Sequence, residues 1–134
     1  MKKLLFTSFI CMMTFFVNAQ NKLLDLSVLP VNEPSNDSIT VLIQFKANNI
    51  ENIQQVNLFF ESQGLMETVL QKTATVIQQG NLFYVELEDK QTPIKNYCFD
   101  IYCSLSKVQY DDMKRTRVVA KYKDNTSAFI VSNN

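Results

Sequence analysis

Cys98 and Cys103 are the most reactive side chains that the main body of the chain offers, and they stand five positions apart within one strongly alternating stretch, Tyr97 to Leu105. Five residues of extended chain span roughly 16 Å, and the odd spacing turns the two side chains to opposite faces. A disulfide needs Cα atoms within about 7 Å. The spacing therefore predicts no internal bridge. Cys103 belongs in a core beside Phe99 and Ile101, and Cys98 on an outer face as a free thiol, open to oxidation or an intermolecular disulfide. Carboxylates come next. Glu86, Glu88 and Asp89 close one stretch, and Asp111 and Asp112 are adjacent. Paired carboxylates can run glycoside hydrolysis or hold Ca²⁺. No D-x-D-x-D-G run is present, and Glu86 and Glu88 share their side of an alternating stretch with Tyr84, as a solvated strand face would have it.

The missing residue types narrow the chemistry further. Histidine is absent, so no Ser-His-Asp triad, Cys-His dyad, H-E-x-x-H zinc helix or histidine proton shuttle can be built. Gly64 and Gly80 are the two glycines, too few for a phosphate-cradling loop. Tryptophan, the usual sugar-stacking platform, is also absent. Lys and Arg number 13 against 13 Asp and Glu, a balance that argues against nucleic acid as a partner. The basic residues Lys114, Arg115, Arg117, Lys121 and Lys123 alternate across a strand and read as a solvated edge that blocks aggregation, not a phosphate patch. No catalytic set, metal or cofactor is expected, and a chain of this kind is expected to work by binding.

Strands must position these residues. Ile39, Val41, Ile43 and Phe45 alternate with Thr40, Leu42, Gln44 and Lys46. The same period of two recurs in Val56, Leu58 and Phe60, in Phe83, Val85 and Leu87, and in Tyr97, Phe99, Ile101, Cys103 and Leu105. Each of these sets predicts a core face, and the residues between them a sheet exterior. Weaker strands are expected over Lys22 to Leu29, Val69 to Gln78 (one or two), Thr116 to Lys123 and Ala128 to Val131. Gln79-Gly80-Asn81 reads as a strong turn, Asp111 to Lys114 as another, and Asn49 to Gln55 as room for a short one. No helix is expected in this body. Seven to eight short strands at roughly ten-residue spacing predict an all-β antiparallel β-sandwich.

The N-terminus reads as an address. Lys2 and Lys3 precede a mostly apolar run from Leu4 to Val17 that ends at Val17-Asn18-Ala19, a cleavage-type signal. This predicts a secretory signal peptide over residues 1–19, cut after Ala19, and a single domain over residues 20–134. The run is too short for a membrane span, and Ile10 before Cys11 is too large for a lipoprotein site. The mature chain is expected to be soluble, to have no transmembrane segment, and to be secreted, periplasmic or at the cell surface.

From Val56 onward a set of motifs follows in order. Val56-Asn57-Leu58-Phe59-Phe60 comes first, then Gly80-Asn81-Leu82-Phe83-Tyr84-Val85-Glu86-Leu87. Gln91-Thr92-Pro93-Ile94 supplies a loop, and Asn96-Tyr97-Cys98-Phe99-Asp100-Ile101-Tyr102 a last strand with Asp111-Asp112 downstream. This order resembles bacterial secreted Ig-like and fibronectin type III-like modules, and covers about half of the mature chain. The resemblance implies an Ig-like sandwich and a role in adhesion, spacing or ligand presentation. The outline is also similar to sandwich modules that bind glycans.

In such a sandwich the strands of Val56 and Tyr97 are expected side by side in one sheet. Phe59 would then share an outer face with Cys98 and Tyr102, with Val119 joining from the late strand. A contiguous apolar patch on a solvent face marks an interaction surface. The sequence thus predicts a non-catalytic module that meets a protein partner at the cell envelope or outside the cell through Phe59, Cys98, Tyr102 and Val119. Glycan or small-ligand binding, and edge-to-edge assembly into a structural subunit, are the alternatives.

Overall fold

The computed structural model describes residues 20–31, 37–62 and 68–133. The expected signal peptide with its cleavage site, Asn32 to Asn36 of the polar stretch that runs to Asp37, and Gly64 lie outside the described residues. The rest is an all-β antiparallel sandwich of nine strands: β1 (Leu23–Pro30), β2 (Ser38–Ala47), β3 (Ile53–Glu61), β4 (Thr68–Gln79), β5 (Leu82–Leu87), β6 (Lys90–Pro93), β7 (Cys98–Ser106), β8 (Arg115–Tyr122) and β9 (Ser127–Asn133). One sheet has the order β1-β2-β7, the other β6-β5-β4-β3-β8-β9. A short 3₁₀ turn, Ile50–Asn52, and one helix, α1 (Lys107–Asp112), complete the described chain.

The alternation forecasts the core. Ile39, Val41, Ile43 and Phe45 of β2 and Phe99, Ile101, Cys103 and Leu105 of β7 are buried on one inner face. Val56, Leu58 and Phe60 of β3, with Val118, Ala120 and Tyr122 of β8, are buried on the other. Register follows from this pattern, because a slip of one residue would turn a whole strand inside out.

Several expectations are corrected. Tyr97 is not in the core: it is 64% exposed. It sits with Asn96 in a tight turn closed by Cys98 N–H donating to the Lys95 carbonyl at 2.9 Å, and both central residues have positive φ, as a type I′ turn requires. Gln91 to Ile94 is not simply a loop, since its first three residues belong to the edge strand β6, where Pro93 is tolerated. Val69 to Gln78 lies within one long strand. A helix was not expected, yet Ser106 caps one. The Ser106 Oγ accepts from Gln109 N–H at 3.1 Å, and Gln109 Oε1 accepts from Ser106 N–H at 2.9 Å. The S-x-x-Q spacing of a capping box was the available signal. Asp111 and Asp112 end that helix, and Met113 returns to the core. Nor does β8 form an edge: it lies between β3 and β9.

A bulky residue at positive φ is strained by about 1–2 kcal/mol. Tyr97, with φ of 64°, carries that strain on a side chain that is mostly in water. Tyr97→Gly is expected to raise stability by about 1 kcal/mol, after allowing for the greater freedom of glycine in the unfolded chain. Urea unfolding checks it, and an unchanged or lower midpoint would show that the ring repays its strain through contacts.

Candidate functional site

The four residues singled out by sequence fall on opposite sides of the molecule. Phe59 and Val119 lie on the outer face of the six-stranded sheet, and Cys98 and Tyr102 on the outer face of the three-stranded one. The expected pairing of the Val56 and Tyr97 strands fails because β3 takes β4 and β8 as neighbours, whereas β7 pairs with β2. Alternation fixed the face of each residue but carried no information about which strands are neighbours.

On the six-stranded sheet, Phe59 is opposite Arg117, and Arg117 opposite Val131. One row on, Asn57 is opposite Val119, and Val119 opposite Phe129. Phe129 is 69% exposed and Val131 37%. Phe59, Val119, Phe129 and Val131 therefore form one apolar patch across three adjacent strands. Phe129 and Val131 were missed. Their alternation with Ala128 and Ile130 was legible, but the phase became clear only from the pairing of Ile130 with buried Val118.

The patch is held from one end by charge. Glu61 closes β3 on this face and is nonetheless buried. Its Oε1 accepts from Arg115 at 3.1 Å and from Arg117 at 3.2 Å. Arg117 in turn lies over the Phe59 ring at 4.3 Å, a cation–π contact. Two of the basic residues expected to be freely solvated are thus committed to one carboxylate.

On the three-stranded sheet, Tyr102 continues a row with Leu42 and Leu29. Lys90 from β6 caps its ring at 4.0 Å. Beside that row Gln44 donates to Asp100 at 2.9 Å. At the far end, Leu24 and Tyr97 border a hollow of about 270 Å³ with Lys22 and Lys46 at its rim. Lys46 is 3.7 Å from Asp25.

Both thiols are free. Cys98 is half-buried and its Sγ approaches the Asn96 carbonyl at 3.5 Å. Cys103 is buried, and that burial, followed by the Glu88 carboxylate, pushes its thiol up to about 12 from an ordinary 9.0. The thiolate forms more readily in the unfolded chain, so this contribution to stability is whole below pH 9 and drains away as pH rises toward 12. The expected loss is about 1 kcal/mol at pH 10. Cys103→Ala should flatten the urea midpoint between pH 8 and 10, whereas an equal slope in both proteins would refute the assignment. Under native conditions iodoacetamide should label Cys98, and Cys103 only after unfolding.

The carboxylates do not converge. Glu86 accepts from Gln91 at 2.9 Å, Glu88 pairs with Lys72, and Asp111 and Asp112 are exposed at the end of α1. Among the described residues no group of three or more Asp, Glu, Cys or His is placed to hold a metal ion. No described helix is long and apolar enough to cross a membrane. A polar hollow of about 450 Å³ opens among Gln20, Asn21, Asn49, Asn52, Asp124 and Thr126. Its side chains are bonded to one another: Asn49 donates to Asn21 at 2.7 Å, Asn21 to Thr126 at 3.1 Å and the Thr126 hydroxyl to Asp124 at 2.6 Å. Those bonds from Thr126 hold the Asp124 carboxyl below the usual range. No protein-family model, curated protein or solved structure matches the chain.

Proposed function

We propose that the chain is a small exported, Ig-like binding module that engages a protein partner at the cell envelope or outside the cell, without catalysing a reaction. The observation that carries the reading is the apolar patch of Phe59, Val119, Phe129 and Val131 on one face of the six-stranded sheet. Large apolar side chains at the centre of a patch with a polar rim have the composition of a protein-binding surface. Here Gln55, Asn57 and Lys121 border the patch at one end and Glu61 and Arg115 at the other, all on β3 and β8, while Arg117 lies between Phe59 and Val131. A sheet is also a rigid mount, so little ordering would oppose binding.

Strand order supports the Ig-like part of the reading. The second and seventh strands pair in one sheet, the third and eighth in the other, and the chain crosses between the layers as Greek-key sandwiches do. The apolar run from Leu4 to Val17 and the Val17-Asn18-Ala19 signal support export.

A photo-crosslinking residue at Val119, compared with one at Tyr102 on the opposite sheet, tests the face in the producing cell. A discrete adduct from position 119, absent from position 102 and lost in a folded Phe59→Lys, Phe129→Lys variant, is the expected result. An adduct from position 102 alone would move the site to the other sheet, and none from either would refute the reading. Hydroxyl-rich ligands remain a second reading, favoured by the amide-lined hollow around Asn21 and Asn49. It predicts a rise in melting temperature with a saturating glycan.

A further inference from the structure

Four strands form the two edges of each sheet, and three of them carry devices that discourage pairing with another chain. The β6 edge is four residues long, with Lys90 at one end and Pro93 at the other. In β1 the ladder slips between Leu24 and Ser27, Asp25 has positive φ, and Pro30 ends the strand. The β7 edge has β5 and β6 packed beside it. Bulges, prolines, lysines and covering elements are the usual protections of an exposed edge.

The β9 edge lacks the bulge, the proline and the lysine, and like the β7 edge it has a neighbour from the other sheet. Its seven residues, Ser127-Ala128-Phe129-Ile130-Val131-Ser132-Asn133, include no charge and no proline, and its ladder with β8 runs without a register shift. β1 lies alongside from the other sheet, but among the described residues no backbone hydrogen bond runs from it to β9. Among the described residues the outward row of β9 backbone donors and acceptors therefore has no strand partner.

We infer that this edge pairs with the same edge of a second copy of the chain. The strand is close to self-complementary about its centre. Antiparallel pairing with full overlap sets Ile130 against Ile130, Ala128 against Ser132 and Phe129 against Val131, twice over. The Phe129–Val131 pairs lie on the outer face, where aromatic and β-branched cross-strand partners stabilise a sheet. No like charges meet anywhere along the seam, because the strand has none. A two-fold interface of this kind closes after two copies and builds no fibre. The contact is about 24 Å long, at the small end for a specific interface, so the dimer is concentration-dependent. This inference concerns the main-chain edge and does not rest on the face reading above, although both involve Phe129 and Val131.

Sedimentation of the protein as it accumulates in the cell, over about a thousand-fold range of concentration, tests it. The native protein should pass from monomer to dimer. Phe129→Glu with Val131→Glu sets glutamates opposite each other across the seam and should weaken the dimer at least about tenfold. Phe129→Lys with Val131→Glu sets lysine opposite glutamate and should hold self-association within about threefold of native. That same lysine–glutamate variant strips the apolar face, so it should lose any partner captured there while keeping the dimer. A native protein that stays monomeric throughout overturns the inference. So does loss of self-association in both variants alike, which would mark contact between faces, with circular dichroism confirming that each is folded.

Discussion

Replacing Phe99 with alanine should remove about 3–5 kcal/mol of stability, the cost of truncating a fully buried aromatic. Phe99 is opposite Phe45 in the β2–β7 ladder, and both rings face the core. Their centroids are 4.8 Å apart and their planes 9° from parallel, so each ring is the other's principal wall. A stacked pair adds about 0.5–1.5 kcal/mol beyond the area it buries. Small domains hold about 5–15 kcal/mol in total, so this single change takes a large share. With a urea slope of about 1–3 kcal/mol per molar, the unfolding midpoint should fall by about 2 M. The Phe45→Leu, Phe99→Leu double-mutant cycle should return a coupling of about 1 kcal/mol. A cost below about 1 kcal/mol for Phe99→Ala would mean that β7 is shifted by one residue, which would carry Phe99 to the outer face.

That test also probes how much of the fold alternation can dictate. β2 and β7 were legible because Ile39 to Phe45 and Phe99 to Leu105 place every second side chain in a dry layer. The same rule misassigned Tyr97, which continues the apolar phase of β7 by one step. What ends that phase is local. Asn96 and Tyr97 both take positive φ to make the turn, and alternation has no meaning there. Similarly, Lys90 to Pro93 has too few residues and too little apolar content to announce a strand, and β6 exists because β5 offers it a ladder. Neither feature belongs to a single segment's pattern. Each depends on a partner segment elsewhere in the chain.

The candidate site shows the same division. Phe59 and Tyr102 were correctly placed on outer faces, since their neighbours Leu58, Phe60, Ile101 and Cys103 had to face inward. Their expected union on one sheet failed, because strand adjacency is decided by the chain's crossings between layers. Phe129 and Val131, which complete the patch beside Phe59 and Val119, depend on the β8–β9 register. The Glu61 cluster was the least legible element. A lone glutamate at a strand end looks solvated in sequence, and the arginines that cover it lie more than fifty residues away.

Removing both of those arginines should therefore be much more damaging than the sum of removing each. Glu61 is 3% exposed, and a carboxylate that is cut off from water needs its partners. Arg115→Met leaves Arg117 on the same oxygen, and Arg117→Met leaves Arg115, so each change alone should cost about 1 kcal/mol. The double change strands an unpaired buried charge and should cost about 3–5 kcal/mol. Adding Glu61→Leu to the double variant removes that charge, fills its place with apolar volume, and should recover most of the loss. Urea unfolding at neutral pH reads all four variants, and strictly additive single costs, or no recovery in the triple variant, would show that the cluster is a solvated surface pair. The same series separates fold from binding. Arg117 also lies over Phe59, so Arg117→Met bares one side of that ring with little loss of stability, and in the triple variant the whole end of the patch becomes apolar. If the face binds a partner through its apolar surface, affinity should survive in the triple variant, whereas a partner that reads the arginines would be lost at the first substitution.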